Sequence, residues 1–289
     1  MKNNRIYSYV IVVFVYVLAI LAGKYTLDSL NHENAYLEML YADLVATSVV
    51  FIFSIFFSNS SIYDPYWSVI PVPIAYHWIQ VSPEGSAIRQ GLILTVILLW
   101  SIRLTANWIK SWPDLTHEDW RYKKLKEDTG KFYWPVSFLG IHIFPTLMVF
   151  LGMLPVLPAV KNDSPAGLFD FAGTACCLLA VAIEYTSDEQ LRRFKKESVK
   201  KGANMDRGLW AFSRHPNYFG EILFWFGLFI FSLGTGITDN LWTISGFVTM
   251  FILFRFISIP MMEKRLLLSK TGYREYKKNV PAIIPRIRR

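Results

Sequence analysis

The chain of 289 residues has little charge and little cysteine. Charged residues account for 18% of it, whereas ordinary soluble domains carry about 25%. A soluble enzyme is therefore not expected. The 2 cysteines, Cys176 and Cys177, are adjacent within an apolar stretch, where cysteine behaves as a small buried hydrophobe. A secreted disulfide scaffold is excluded, and the cysteines indicate no redox compartment.

Two motifs are also missing. The G-x-G-x-x-G fingerprint of soluble dinucleotide-binding folds does not occur, and the short Gly234-Thr235-Gly236 follows an apolar run rather than a strand. The run His117-Glu118-Asp119 has no second ligand pair at helical spacing, so no metal site is expected. A cofactor site in this chain would have to be built between helices.

Long hydrophobic blocks are what the sequence has instead. Hydrophobic residues make up 53% of the chain and fall in runs of roughly 17 to 22, the length that crosses about 30 Å of hydrocarbon. We predict an all-α fold, a polytopic bundle of about eight transmembrane helices. The expected spans are 6–22, 41–57, 66–81, 91–108, 136–157, 167–187, 219–233 and 241–260. Because the third contains Pro71 and Pro73, seven spans are the alternative.

Basic residues divide unequally between the two sides of this predicted bundle. Of the 30 Lys and Arg residues, 25 fall at the termini and in the segments 109–135 and 188–220, and three on the other side. Cytoplasmic loops are rich in Lys and Arg, so we expect both termini and these segments to be cytoplasmic. The net charge of +8 then faces anionic headgroups, and no nucleic acid partner is implied. The expected location is a bacterial inner membrane or the endoplasmic reticulum of a eukaryote.

The segment most suggestive of chemistry precedes the seventh predicted span. Five polar residues crowd positions 214–221: Arg214, His215, Asn217, Tyr218 and Glu221. Any single basic residue there can be a simple anchor at the membrane border. A carboxylate such as that of Glu221 is costly at this border unless it is paired, which favours a functional role for the whole stretch.

This stretch carries a resemblance. The run 208–221, with Arg255, Glu263 and the tail motifs Gly272-Tyr273, Tyr276, Val280-Pro281 and Ile284-Pro285, resembles the C-terminal half of the steroid 5-alpha-reductase family. More closely, it is similar to the membrane proteins grouped with that family as DUF1295. Three N-terminal motifs look like the DUF1295 group: Asp64-Pro65 with Trp67-Ser68, Arg103 with Asn107-Trp108, and the run from His117 to Tyr122.

The resemblance implies a helix bundle that holds NADPH in a cavity open to the cytoplasm. It also implies reduction of a carbon–carbon double bond conjugated to a carbonyl, in a lipid-soluble substrate of steroid or isoprenoid type. The family's cofactor-contacting Asp and Asn map onto Asp188 and Asn217. The residues expected to bind the cofactor are Glu184, Asp188, Arg192, Lys195, Arg214, His215, Asn217, Tyr218, Glu221, Arg255, Tyr273 and Tyr276. Several of these are cations that suit phosphate, which favours NADPH over NADH.

Two departures from the steroid enzymes limit what the resemblance implies. Glu184 stands where those enzymes have an Asn four residues before the Asp, and the chain has no Gln-Glu-Leu-Pro like the one that carries their substrate-binding Glu. The resemblance therefore implies the cofactor site more strongly than a steroid substrate.

Reduction of an enone also needs an acid near the carbonyl oxygen. We expect the catalytic groups in the N-terminal half: Asp64, Arg103, Glu118 and Tyr122. Arg103 lies within a span and is expected to pair with Asp64 or a cofactor phosphate. Asp64-Pro65 can instead be an ordinary helix start, and His77 a satisfied core histidine. Residues 1–135 would form the substrate region and 136–289 the cofactor region of one integrated membrane domain.

Two other functions stay open. The pattern Arg214-His215-Pro216, Tyr218, Glu263, Tyr273 and Val280-Pro281 is shared with isoprenylcysteine carboxyl and phospholipid methyltransferases, which bind S-adenosylmethionine. Asn217, Glu221 and the Ser187-Asp188 pair favour the reductase. A transporter or scaffold would place polar residues through several spans, whereas here they gather at one end. No protein partner is indicated.

Overall fold

The computed structural model describes residues 4–30, 32–197 and 202–286. Within these ranges the chain is helical and contains no β-strand, so the predicted all-α fold is confirmed. The α-helices are α1 (Arg5–Ser29), α2 (Ala35–Phe57), α3 (Tyr66–Val69), α4 (Pro71–Gln80), α5 (Ala87–Ser111), α6 (Trp120–Thr129), α7 (Tyr133–Ser137), α8 (Phe144–Met153), α9 (Val156–Lys161), α10 (Leu168–Glu197), α11 (Pro216–Leu233), α12 (Ile237–Asn240), α13 (Ile244–Ile252), α14 (Ile259–Ser269) and α15 (Tyr273–Asn279). Single π-helical segments, Phe138–Ile143 and Leu253–Ser258, connect α7 to α8 and α13 to α14.

Seven helical stretches of the described chain are long and apolar enough to cross a membrane. They are Arg5–Ser29, Ala35–Phe57, Ala87–Ser111, Trp120–Lys161, Leu168–Glu197, Pro216–Leu233 and Ile237–Ser269. The third predicted span is absent from this set because Pro71 starts a new helix and divides it into α3 and α4. The cytoplasmic position predicted for the N-terminus depends on that span and stays a prediction, as does the position of the C-terminal half.

One compact unit comprises Met1–Val81 and Trp100–Phe150. Its core includes the fully buried Trp78, Trp100, Tyr63 and Tyr66. Several polar groups inside it pair with one another: the Tyr63 hydroxyl lies 2.7 Å from Thr146 Oγ1, which also lies 2.8 Å from Thr47 Oγ1. Such pairing is expected where no water reaches a buried polar group.

The other compact unit comprises Ser82–Leu99 and Leu151–Arg289. Its longest helices, α10 and α11, approach closely at two glycines of α11. A Cβ atom at Gly220 would lie 2.4 Å from Cγ of Glu184, and one at Gly227 would lie 2.5 Å from Sγ of Cys177. Both positions therefore require glycine for this helix packing. Both cysteines are free, and Cys177 is buried, in agreement with their predicted role as small packing residues.

A buried ion pair in the second unit was not expected from the sequence. Arg89 and Asp170 form a two-bond contact at 2.6 and 3.1 Å, and each side chain is only 1% exposed. Arg89 also donates to the carbonyl oxygen of Asn162 at 2.8 Å. These contacts tie α5 to α10, which gives the pair a structural explanation.

The division at residue 135 into substrate and cofactor regions is a functional one and stays a prediction.

Candidate functional site

A cavity of about 200 Å³ in the second unit collects most of the predicted cofactor residues. Its wall is formed by the end of α10, the loop that follows, the start of α11, α14 and the tail. The lining residues are Leu191, Phe194, Lys195, Asn204, Met205, Trp210, Arg214, His215, Asn217, Tyr218, Met262, Leu266, Lys270, Tyr273 and Tyr276. Seven of them were predicted from the sequence to bind the cofactor: Lys195, Arg214, His215, Asn217, Tyr218, Tyr273 and Tyr276. The convergence arises because the tail folds back onto the loop before α11.

Backbone hydrogen bonds hold the tail in that position. The amide nitrogen of Arg214 donates to the carbonyl oxygen of Pro281 at 2.9 Å, and the Ser213 hydroxyl donates to that of Ile283 at 2.7 Å. The Tyr276 hydroxyl donates to the carbonyl oxygen of Trp210 at 2.5 Å. Pro281 of the Val-Pro motif and the neighbouring Ile283 therefore hold the tail against the cavity wall, a role that the spacing of the motif alone did not indicate.

Glu263 is the centre of an ion-pair cluster beside the cavity. Its Oε1 lies 2.6 Å from Nε of Arg214 and 3.3 Å from Nε2 of His215, and its Oε2 lies 2.7 Å from Nζ of Lys277. Arg214 also donates to the carbonyl oxygens of Lys277 and Val280. Burial lowers the pKa of His215, although Glu263 opposes the effect, so its ring is neutral at pH 7. The guanidinium of Arg214 is thus largely committed to the tail.

Three buried polar atoms of the lining have no hydrogen-bond partner in the described chain: Oδ1 of Asn204, Oδ1 of Asn217 and the hydroxyl oxygen of Tyr273. The other end of the Asn217 carboxamide donates to Oδ1 of Asp188 at 3.4 Å. Burial raises the pKa of Tyr273, so its hydroxyl is protonated at neutral pH. Buried polar atoms are normally satisfied, and their concentration in one cavity indicates a polar ligand.

Five predicted cofactor residues lie outside the lining of this cavity. One of them, Asp188, is the acceptor of the Asn217 carboxamide described above. Glu184 is buried where α10 meets Gly220. Glu221 accepts from the indole nitrogen of Trp225 at 3.1 Å. Arg192 forms a two-bond ion pair with Glu189 at 2.6 and 2.8 Å, and Arg255 is exposed on its π-helical segment. A cofactor role for the other four is not indicated by their positions and stays a prediction.

A second polar cavity, of about 340 Å³, lies in the first unit. It is enclosed by the loop after α2, the end of α5 and the segment before α6. Its lining residues are Ser61, Asp64, Trp67, Ser68, Leu104, Asn107, Trp108, Ser111, Trp112, His117, Asp119 and Arg121. These include residues of all three N-terminal motifs on which the resemblance rests, although the motifs are far apart in the chain.

Asp64 is the acid of this cavity. Its Oδ1 accepts a hydrogen bond of 2.5 Å from the Tyr122 hydroxyl. Burial raises the pKa of Asp64 to about 6, against the opposing influence of Arg121 and of the bond from Tyr122. Arg121 itself pairs with Asp119 at 2.8 Å. A carboxyl group with a pKa near 6 exchanges its proton readily at neutral pH, so Asp64 and Tyr122 are brought together as predicted catalytic candidates.

The other catalytic candidates lie elsewhere in this unit. Glu118 is buried, and its Oε1 accepts from the amide nitrogen of Ser60 at 2.9 Å and from the Tyr133 hydroxyl at 3.4 Å. These bonds hold the loop after α2, so its visible role is structural. Arg103 lies within α5, outside the lining of the cavity, and its predicted pairing stays a prediction.

Similarity to known proteins extends over most of the chain. The family described as "Protein of unknown function (DUF1295)" matches residues 50–280. The chain belongs to this family. It is also 24% identical over 286 residues to "Uncharacterized protein C594.04c" of Schizosaccharomyces pombe (strain 972 / ATCC 24843), an alignment that covers 90% of this chain and 82% of the relative. No solved structure matches the chain.

Two residues of this DUF1295 protein were missed by sequence reasoning. Asn204 and Lys270 both line the cavity of the second unit, and Lys270 donates to the carbonyl oxygen of Ala203 at 2.9 Å. Lys270 could have been found, because it stands two residues before the Gly272-Tyr273 motif. Asn204 lies in an irregular loop with no periodicity, so nothing in the sequence marked it.

Proposed function

We propose that this DUF1295 protein is a membrane-embedded, NADPH-dependent reductase of a carbon–carbon double bond conjugated to a carbonyl in a lipid-like substrate. The family and the seven apolar helices support an integral membrane protein. The reaction is inferred from the chemistry of the two polar cavities.

The charge of the second unit's cavity is the observation that carries the proposal. Lys195 and Lys270 line it, the charge of Arg214 is balanced by Glu263, and none of the described lining residues is acidic. A cationic lining attracts the phosphate groups of a nucleotide. S-Adenosylmethionine carries a sulfonium cation, which such a lining disfavours. The charge therefore supports NADPH over the methyl donor.

The open hydrogen-bonding positions of the same cavity support the assignment. Asn217 Oδ1 can accept from the amide of a nicotinamide ring, and Asn204 Oδ1 and the Tyr273 hydroxyl offer further polar contacts. The volume of about 200 Å³ is below the roughly 300 to 1,000 Å³ of complete small-molecule sites. The lining accordingly fits one end of the dinucleotide, and the rest would extend along the basic end of α10.

NADPH, when bound, supplies a hydride. The chain must then supply a proton to the carbonyl side of the substrate, and Asp64 suits this task because its raised pKa leaves it partly protonated near neutral pH. Tyr122 orients the carboxyl group by its hydrogen bond to Oδ1. The tryptophans of that cavity, Trp67, Trp108 and Trp112, provide an apolar wall for a lipid-like molecule.

A methyltransferase is the second candidate. The residues shared with methyltransferases meet in space: Arg214 pairs with Glu263, and the amide of Arg214 binds Pro281 of the tail. The small cavity would also suit a ligand smaller than a dinucleotide. This arrangement supports a common tail structure, but it leaves the sulfonium group without an anionic partner in the described lining.

Binding of the two cofactors to the full chain in lipid nanodiscs separates these candidates. We expect NADPH to bind, to do so more tightly than NADH, and to weaken as salt is raised, because screening reduces its attraction to Lys195 and Lys270. Binding of S-adenosylmethionine without binding of NADPH would replace the reductase by the methyltransferase. Binding of neither would contradict both.

A further inference from the structure

Another cavity, of about 440 Å³, lies between α1, α2 and α4 of the first unit. Its walls are mostly apolar and include Ile20, Met39 and Ile74. The volume falls within the range of sites that take a complete small molecule. Asp64, the proposed proton donor, is not among its lining residues, and the function proposed above does not use this cavity.

One charged side chain is buried in its wall. Asp43 is only 2% exposed, and its Oδ1 accepts from the Tyr66 hydroxyl at 3.0 Å. Its Oδ2 is buried without a hydrogen-bond partner in the described chain. A carboxyl oxygen left without a donor in an apolar, membrane-embedded site is costly. A ligand that donates to Oδ2 would remove that cost.

The remaining charges at the cavity nearly cancel. Lys24 pairs with Asp28 at 2.8 Å, and both line the cavity. Burial lowers the pKa of His77, although Glu38 opposes the effect, so His77 is neutral at pH 7. Asp43 is therefore the acid that the lining leaves without a basic partner, and an amine, which can take up its proton, is the complementary occupant.

We propose that this cavity binds a lipid-soluble primary amine, whose ammonium group donates to Oδ2 of Asp43 while its hydrocarbon part lies against the apolar wall. An ammonium group forms a charge-assisted bond with a carboxylate, which is stronger than the bond from a neutral hydroxyl. The site does not depend on the reductase activity and would be retained if that activity were absent.

The test compares two photoreactive long-chain probes that differ only in an amine or a hydroxyl end group. With the full chain in zwitterionic nanodiscs, we expect the amine to bind about tenfold more tightly and to label peptides of α1, α2 and α4. Asp43→Asn keeps an acceptor for Tyr66 but removes the charge. It should lower the affinity for the amine about tenfold and leave that for the alcohol within about twofold.

Asp128→Asn is the matched control. Asp128 is exposed and pairs with Lys124 at the surface, far along the chain from the cavity lining, so the affinity for the amine should not change. Equal binding of the two probes to the unmodified chain, or an amine preference retained in Asp43→Asn, would overturn the proposal.

A second pair of variants covers a failure of Asp43→Asn to fold. Leu27 lines the cavity and is half-buried, whereas Leu21 is 56% exposed on the same helix. Leu27→Trp should fill the cavity and abolish labelling by the amine, and Leu21→Trp should leave it unchanged. Labelling that persists in Leu27→Trp would overturn the proposal.

Discussion

The polar cavities of the two units hold their polar groups in different ways. The cavity of the first unit contains Asp64 and Asp119, and Asp64 is engaged by Tyr122. The cavity of the second unit contains no acid in its described lining and has three polar atoms without partners. An engaged, titrating acid suits proton exchange, whereas open positions among cations suit the binding of an anion. The comparison supports the proposal that one cavity supplies the proton and the other binds the cofactor.

The walls of the two cavities also differ in what supports them. Glu263 balances Arg214 and Lys277 beside the second unit's cavity, whereas Glu118 in the first unit accepts hydrogen bonds from neutral groups. The same substitution in each unit should therefore have unequal effects.

Glu263→Gln should lower the free energy of unfolding by about 3 to 5 kcal/mol, because it leaves the buried Arg214 without its anion. Glu118→Gln keeps an acceptor for the Ser60 amide and should lower it by about 1 kcal/mol. Thermal and denaturant unfolding of both variants in one detergent measures the difference. Equal destabilisation would remove this part of the comparison.

Asp64→Asn should reduce turnover of a lipid-soluble enone at least about a hundredfold, because it removes the proton donor. Its affinity for NADPH should stay within about twofold, since the cofactor is assigned to the other cavity. Oxidation of NADPH and equilibrium binding, measured on the same preparation, test the two halves. A parallel loss of binding would break the assignment of separate roles.

Asn217→Ala should have the reverse pattern. Removal of the carboxamide should weaken NADPH binding about tenfold, because one polar contact is lost with little packing. Asn279→Ala is the control, since Asn279 is exposed, donates to Glu275 of its own helix and is not among the lining residues of the cavity. Unchanged affinity in a folded Asn217→Ala variant would contradict the cofactor assignment.

The pH dependence offers the smallest expected effect. Turnover should fall as the pH rises through about 6, because Asp64 then loses the proton that it donates. Tyr122→Phe removes a hydrogen bond that favours the carboxylate, so the pKa of Asp64 should rise and the fall should move to higher pH. A pH–rate profile of both proteins measures the shift. A shift to lower pH would contradict the role of Tyr122.

Much of the lining of the second unit's cavity could be predicted from sequence because its residues are close in the chain or carry a motif. Asn217, Tyr218, Tyr273 and Tyr276 were identified in this way, and all four line the cavity. Charge alone was a weaker guide to which residues line the cavity. Arg192 was predicted to contact the cofactor and pairs with Glu189 three residues earlier, so its cofactor role stays a prediction. A run of charges does not reveal which of them neutralise one another.

The sequence by itself determined the class of the protein: apolar blocks of membrane-spanning length dictate a helical bundle, and Pro71 interrupts one of them. Only the tertiary structure decided which distant residues share a cavity. It brought Asp64, Trp108 and Arg121 together, committed Arg214 to Glu263 and left Oδ2 of Asp43 without a donor. The physical reason is that hydropathy depends on each residue alone, whereas the partners of a polar group depend on how helices pack.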